Sequence, residues 1–289
     1  MSEEVRQAET NAQSSAQADV VPIIKLECVN VIFKTRTGSL LHPNKVHAVK
    51  DLDLMVMPGE TLGIVGESGC GKSTTANVMC GLQDPTSGHV FFKGEDVTKR
   101  TSATRRAIGR VISVVFQDPA TALNARMTVH DQLIDPLQVH KIGTPDEREK
   151  RAIELIGMVG LPSSVMDALP GQLSGGQRQR VAIARALALS PDAIIADEPT
   201  SALDVSVRAQ ILNLLMDLKR ELGLSMVFIS HDIQTVRYIS DNIAVMNDGV
   251  CVERGPARQV FEHPQDDYTK KLLGAAPSLL HPDASRLAK

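Results

Sequence analysis

Tryptophan is absent from this chain, and only two tyrosines and six phenylalanines are present. That scarcity argues against a surface that reads nucleic acid by stacking bases on aromatic rings. Charge of one sign is lacking too. Thirty-one lysines and arginines face 34 acidic residues, a formal charge of −3, so no global basic field points to nucleic acid. The most basic stretch, Lys99 to Arg110, reads as a solvated helix face. No apolar run reaches the roughly 18 residues needed to span a bilayer. The four cysteines, Cys28, Cys70, Cys80 and Cys251, lack the spacing of a metal site or a disulfide framework, which fits reduced thiols in a cytosolic protein. Met1 to Asp19 is polar and acidic, with no basic start followed by an apolar stretch. It reads as a disordered leader, extending to about residue 22, and not as a signal peptide.

At 289 residues the chain can bury a sizeable core. Strand-like runs recur at Ile23–Val31, Val46–Val56, Thr61–Val65, His89–Phe92, Val111–Phe116, Ala193–Ala196, Ser225–Ile229, Ile243–Met246 and Val250–Glu253. Helical patterns between several of them predict an α/β layer architecture with a mainly parallel central sheet. From about Pro119 to Arg185 no convincing strand occurs. Pro145-Asp146-Glu147 opens a helix there, with Ile153, Ile156 and Val159 as its apolar stripe, so this section reads as an inserted helical lobe. Beyond Gly255, four prolines punctuate a C-terminal extension, residues 256–289, with one helix expected at Tyr268–Gly274.

The most informative octet is Gly66-Glu67-Ser68-Gly69-Cys70-Gly71-Lys72-Ser73, which fits G-x-x-x-x-G-K-[ST]. A buried strand precedes it and a helix start, Thr74 to Cys80, follows it. Strand, glycine-rich loop and helix N-terminus in that order make an anion cradle. Lys72 can reach β- and γ-phosphates, and the Ser73 hydroxyl can ligate Mg²⁺. Cys70 reads either as a small residue that happens to be cysteine or as an oxidant-sensitive thiol. Ala193 to Glu198 is an apolar strand ending in two carboxylates, at the edge where open α/β sheets bind ligands. Asp197 suits Mg²⁺, and Glu198 can orient and deprotonate a water. Leu173-Ser174-Gly175-Gly176-Gln177 precedes a helical pattern to Leu189. It reads as a second exposed-amide helix end facing nucleotide on another subunit, or as a Ser N-cap with glycines in a loop. Gln117 and His231 each follow a buried strand and could reach the same site. Asp204 reads as a turn or a helix cap.

Together these segments resemble the ATPase subunit of ABC transporters, from about Ile23 to Gly255. Gly66–Ser73 is similar to the Walker A loop, Gln117 to the Q-loop glutamine, and Leu173–Gln177 to the complete LSGGQ signature. Ala193–Asp197 is similar to Walker B with Glu198 as catalytic glutamate, Ser201–Asp204 to the D-loop, and His231 to the switch histidine. The resemblance implies a P-loop NTPase (RecA-like) core with an antiparallel β subdomain and a helical lobe at about residues 119–185. It implies that Gly66 to Ser73 and Thr74 bind ATP, with Ser174, Gly175, Gly176 and Gln177 acting from a second subunit. Ser73, Gln117 and Asp197 would hold Mg²⁺, and Phe33 would stack on adenine although a long loop, Lys34 to Lys45, follows it. Gly63–Ser73, Phe116-Gln117-Asp118-Pro119 and Pro264–Leu273 resemble the oligopeptide/dipeptide/nickel importer branch. Asp266-Asp267 departs from the His-Pro common there, and with no cysteine after Cys251 no iron–sulfur cluster is expected. The resemblance implies a second ATPase subunit, two permeases, an external solute-binding protein and a place on the cytoplasmic face of a bacterial-type membrane. A soluble, non-transport ABC ATPase and a non-hydrolysing regulatory partner are the alternatives.

Overall fold

The computed structural model describes residues 20–39, 42–99, 101–117 and 122–275. Most of the expected leader, the tail beyond Ala275, and Asp118-Pro119 lie outside these residues. The described chain forms two sheets. The smaller is antiparallel, in the order β2-β1-β4-β5, built from β1 (Ile24–Ser39), β2 (His42–Val56), β4 (Ser87–Phe92) and the two-residue β5 (Glu95–Asp96). The larger runs β10-β9-β3-β8-β7-β6. Its strands are β3 (Thr61–Val65), β6 (Ile112–Val115), β7 (Ala193–Asp197), β8 (Ser225–Ser230), β9 (Asn242–Asn247) and β10 (Val250–Pro256). All its pairings are parallel except that of β10 with β9.

Side-chain alternation explains why this sheet reads as continuous apolar runs. Ile194 and Ala196, Met226 and Phe228, and Ile243 and Val245 enter one core. Ala193 and Ile195, Val227 and Ile229, and Ala244 and Met246 enter another. With both faces covered, the central strands are apolar at most positions. The first core belongs to the helices, the second lies between the large sheet and the antiparallel one.

Helices α1 (Lys72–Met79) and α2 (Ser102–Val111) precede the lobe, which holds α3 (Val129–Val139), α4 (Pro145–Met158) and α5 (Gly175–Ala186). Thr144 and Glu147 close a capping box on α4, with Pro145 in its first turn. Then come α6 (Val205–Leu222), α7 (Ile233–Ile239), α8 (Ala257–Glu262) and α9 (Asp267–Ala275). The lobe, among its described residues, contains no strand.

Three expectations need correction. Lys34 to Lys45 is not a long loop: β1 runs to Ser39 and β2 starts at His42, with Gly38 opposite Pro43. The polar sequence Lys34-Thr35-Arg36-Thr37 has no apolar alternation to announce a strand. Val111 belongs to α2, so β6 starts one residue later than the apolar run implied. The helix after the signature segment ends at Ala186, not Leu189.

Candidate nucleotide-binding site

Four neighbouring parallel strands, in the order β3-β8-β7-β6, end at one edge of the large sheet. Beyond their C-terminal ends lie the glycine-rich loop, His231, Glu198 and Gln117 respectively. Parallel pairing alone therefore gathers residues far apart in sequence.

The loop is shaped by its backbone. Gly71 caps α1 with φ 106°, and a Cβ there would lie 2.4 Å from the Ala48 carbonyl oxygen. Only glycine fits both demands. No side chain caps α1, so its first N–H groups face the loop's concavity. The Lys72 side chain is buried, and its Nζ donates to the carbonyls of Gly66 and Glu67, both at 2.7 Å. Its ammonium also lies 3.8 Å from Cys70 Sγ. Burial nevertheless pushes the Cys70 thiol up, outweighing the Lys72 charge, so Cys70 stays protonated near neutrality.

Asp197, at the end of β7, presents a buried Oδ1 with no hydrogen-bond partner. Burial raises its pKa, against a hydrogen bond from the Ser73 hydroxyl, with Glu198 raising and Lys72 lowering it further. A partly desolvated carboxylate with a spare oxygen, beside a hydroxyl, is a donor set that suits a hard divalent cation. Glu198 adopts φ 47°, a left-handed conformation that costs a non-glycine residue about 1–2 kcal/mol. Two neighbours fix its carboxylate. The Gln117 amide Nε2 donates to Oε2 at 3.1 Å, and His231 Nδ1 lies 3.1 Å from Oε1.

A cavity of about 460 Å³ joins these groups, lined by Ala48, Ser68, Gly69, Gly71, Lys72, Ser73, Thr74, Gln117, Glu198 and His231. Gly66, Glu67, Cys70 and Asp197 are not among the lining residues. The signature segment is not part of it. Ser174 caps α5 reciprocally with Gln177, Ser174 Oγ accepting the Gln177 N–H and Gln177 Oε1 accepting the Ser174 N–H. Gly175 lies against Leu203, and a Cβ on Gly176 would meet Val207 Cγ1 at 2.7 Å. Phe33 is half-exposed on β1, opposite the exposed Val46, and also outside the lining. Asp204 caps α6 by accepting the Val207 N–H at 2.9 Å.

Two contributors carry little sequence signal. Ala48 enters the lining as one small residue in a strand. Tyr268 Oη accepts the Glu67 N–H at 3.0 Å, from 201 residues away. Its tail segment stands out in the sequence, but nothing there links it to the loop.

A phosphate cradle, a carboxylate with one unpartnered oxygen beside a hydroxyl, and a second carboxylate held by Gln117 and His231, all at one sheet edge, define a P-loop nucleotide-binding protein. The family model for ABC transporters matches residues 49–201. The dipeptide transport ATP-binding protein DppF of Haemophilus influenzae is 43% identical over 258 residues, 89% of this chain and 79% of that protein. The oligopeptide transport ATP-binding protein OppF of Lactococcus lactis is 42% identical over 268 residues, 92% of this chain and 83% of that one. Among solved structures, the dimeric ATP-binding cassette MJ0796, in a post-hydrolysis state with ADP and Pi, superposes with a TM-score of 0.72. It is 34% identical and covers 81% of this chain and 99% of its own. This chain belongs to the ABC transporter family, as an ATP-binding and ATP-hydrolysing subunit. No helix among the described residues is long and apolar enough to cross a membrane.

Proposed function

We propose that this chain powers the import of peptides or a similar small solute by closing, on ATP, against a second ATPase subunit. The observation that carries the reading is the convergence of the cradle, Asp197, Gln117, Glu198 and His231 on four adjacent strand ends. The loop amides from Gly69 to Thr74 receive the phosphates, and Lys72 leaves its loop carbonyls for the β- and γ-oxygens. Ser73 and Asp197, with Gln117, hold Mg²⁺, and the buried, unpartnered Asp197 Oδ1 fits that role. When bound, Mg²⁺ neutralises charge that develops on the phosphate oxygens. Glu198 orients the attacking water and takes its proton, while Gln117 and His231 keep the carboxylate aimed.

The signature residues Ser174 to Gln177 act from each subunit on the nucleotide of the other, which accords with their place outside this chain's own cavity. Phe33 offers its exposed ring to adenine. A closed state requires ATP because only then are both halves of the site filled, so ATP shifts the population by its differential affinity. Hydrolysis resets it. A groove of about 390 Å³ lies between Gly81-Leu82, α2 and the lobe, lined by Phe116, Leu123 and Pro136. Its exposed Leu82 and Phe116 suit an apolar helix from a permease on the cytoplasmic face, and Phe116 precedes Gln117 directly. Names of relatives support peptides as cargo: one is a dipeptide and one an oligopeptide transport protein.

The test is capture of tagged Glu198→Gln protein from detergent-solubilised native membranes with Mg-ATP, followed by mass spectrometry. Two permeases and a second ATPase are expected, with a solute-binding protein that identifies the cargo. Recovery of ribosomal or other soluble partners alone would overturn the transport reading.

A further inference from the structure

The C-terminal extension is fastened to the nucleotide domain by hydrogen bonds at its entrance. Glu253, on β10, accepts the Gln265 N–H on Oε1 at 2.8 Å and the Asp266 N–H on Oε2 at 3.1 Å. Asp266 Oδ1 in turn accepts the Tyr268 N–H at 2.8 Å, which starts α9. Thr269 is fully buried, and Tyr268, Leu272 and Leu273 pack on the helical core. This docking places the Tyr268 hydroxyl against the back of the phosphate loop, where it accepts the Glu67 N–H. The carbonyl of the same residue is held from the other side by Lys72 Nζ at 2.7 Å. Glu67 is therefore gripped at both ends, by the extension and by the lysine that serves the phosphates.

Glu67 lies outside the cavity lining, so no phosphate competes with Tyr268 for its N–H. The loop it opens contains Gly69 and Gly71 in left-handed conformations, and a free glycine-rich loop loses much entropy on ordering. A fixed first turn removes part of that loss before ligand arrives, which is how preorganisation raises affinity. We propose that Tyr268 is a positioning residue for nucleotide binding, so that docking of the C-terminal extension strengthens the grip of the phosphate loop on ATP. The proposal rests on the nucleotide-binding reading of that loop.

Tyr268→Phe keeps the packed ring and deletes only the acceptor. Titration of purified full chain with ATP should show binding weakened about 2- to 10-fold, the worth of one neutral hydrogen bond. In the assembled system KM for ATP should rise by a similar factor while kcat at saturation holds, because Tyr268 touches no reacting atom. Glu253→Ala loosens the extension without altering the loop and should move ATP affinity the same way. Wild-type affinity and KM in Y268F would overturn the proposal. So would an E253A protein that melts earlier yet binds ATP normally, since the extension would then serve stability only. Lys72→Ala separates the two readings: if it binds ATP as well as the unaltered chain does, the nucleotide site itself is misassigned.

Discussion

At the scale of single residues, the site depends on small volumes as much as on charged groups. Gly176 shows why. It stands at the start of α5 with Val207 of α6 so close that a methyl group would meet Cγ1 at 2.7 Å. The glycine thus lets the helix end approach α6, independently of any contact with nucleotide. Gly176→Ala should cost about 1–3 kcal/mol, the usual penalty of overpacking, read as a lower urea midpoint. An unchanged midpoint would mean that Val207 moves aside freely. Glu198 illustrates the opposite case, a charged residue whose left-handed backbone is retained although glycine would adopt it more easily. Its carboxylate, pinned by Gln117 and His231, supplies the reason.

At the scale of elements, the helical lobe is held by caps and by one titratable link. His130 on α3 lies 2.6 Å from Glu149 on α4 through Nε2, and 3.3 Å from Asp131 through Nδ1. The hydrogen bond to Glu149 raises the His130 pKa, partial burial opposes it, and Asp131 adds to the rise. A raised folded pKa means that the link stabilises the lobe fully below the unfolded value, near 6.5, and loses this as pH climbs through the folded one. The stability difference between wild type and His130→Phe should therefore shrink as pH rises above about 6.5. A difference constant across that rise would remove His130 as the cause. Thr144→Ala, which opens the capping box of α4, should cost about 0.5–2 kcal/mol in denaturation, at any pH in the same range. No loss would show that tertiary packing alone sets the start of α4.

What the sequence disclosed at this scale follows from burial. Strands β3, β7, β8 and β9 stood out because both of their faces are covered, so Ile194–Ala196 and Ile243–Met246 appear as unbroken apolar runs. The Gly66–Ser73 loop and the Asp197-Glu198 pair stood out because their chemistry tolerates few residue types. The far halves of β1 and β2 did not, since their pairing rests on backbone hydrogen bonds between polar residues. The Tyr268 to Glu67 contact was invisible for another reason: a docked helix creates it across 201 positions.

At the scale of the whole molecule, the cassette is half of a machine. Its cavity gathers the phosphate loop with Gln117, Glu198 and His231, and Asp197 ends the strand that leads to Glu198, while Ser174 to Gln177 lie outside the lining; in the proposed function a second subunit supplies them. Two residues connect its surroundings to the site: Phe116, which lines the groove and precedes Gln117, and Tyr268, whose hydroxyl accepts the N–H of Glu67 in the phosphate loop. The central claim is that Glu198 drives hydrolysis in this shared site. It is tested most directly by comparing ATP turnover and ATP binding in the assembled wild-type and Glu198→Gln proteins. Turnover should fall roughly 10²–10⁴-fold while ATP stays bound; hydrolysis near the wild-type rate would remove Glu198 as the base.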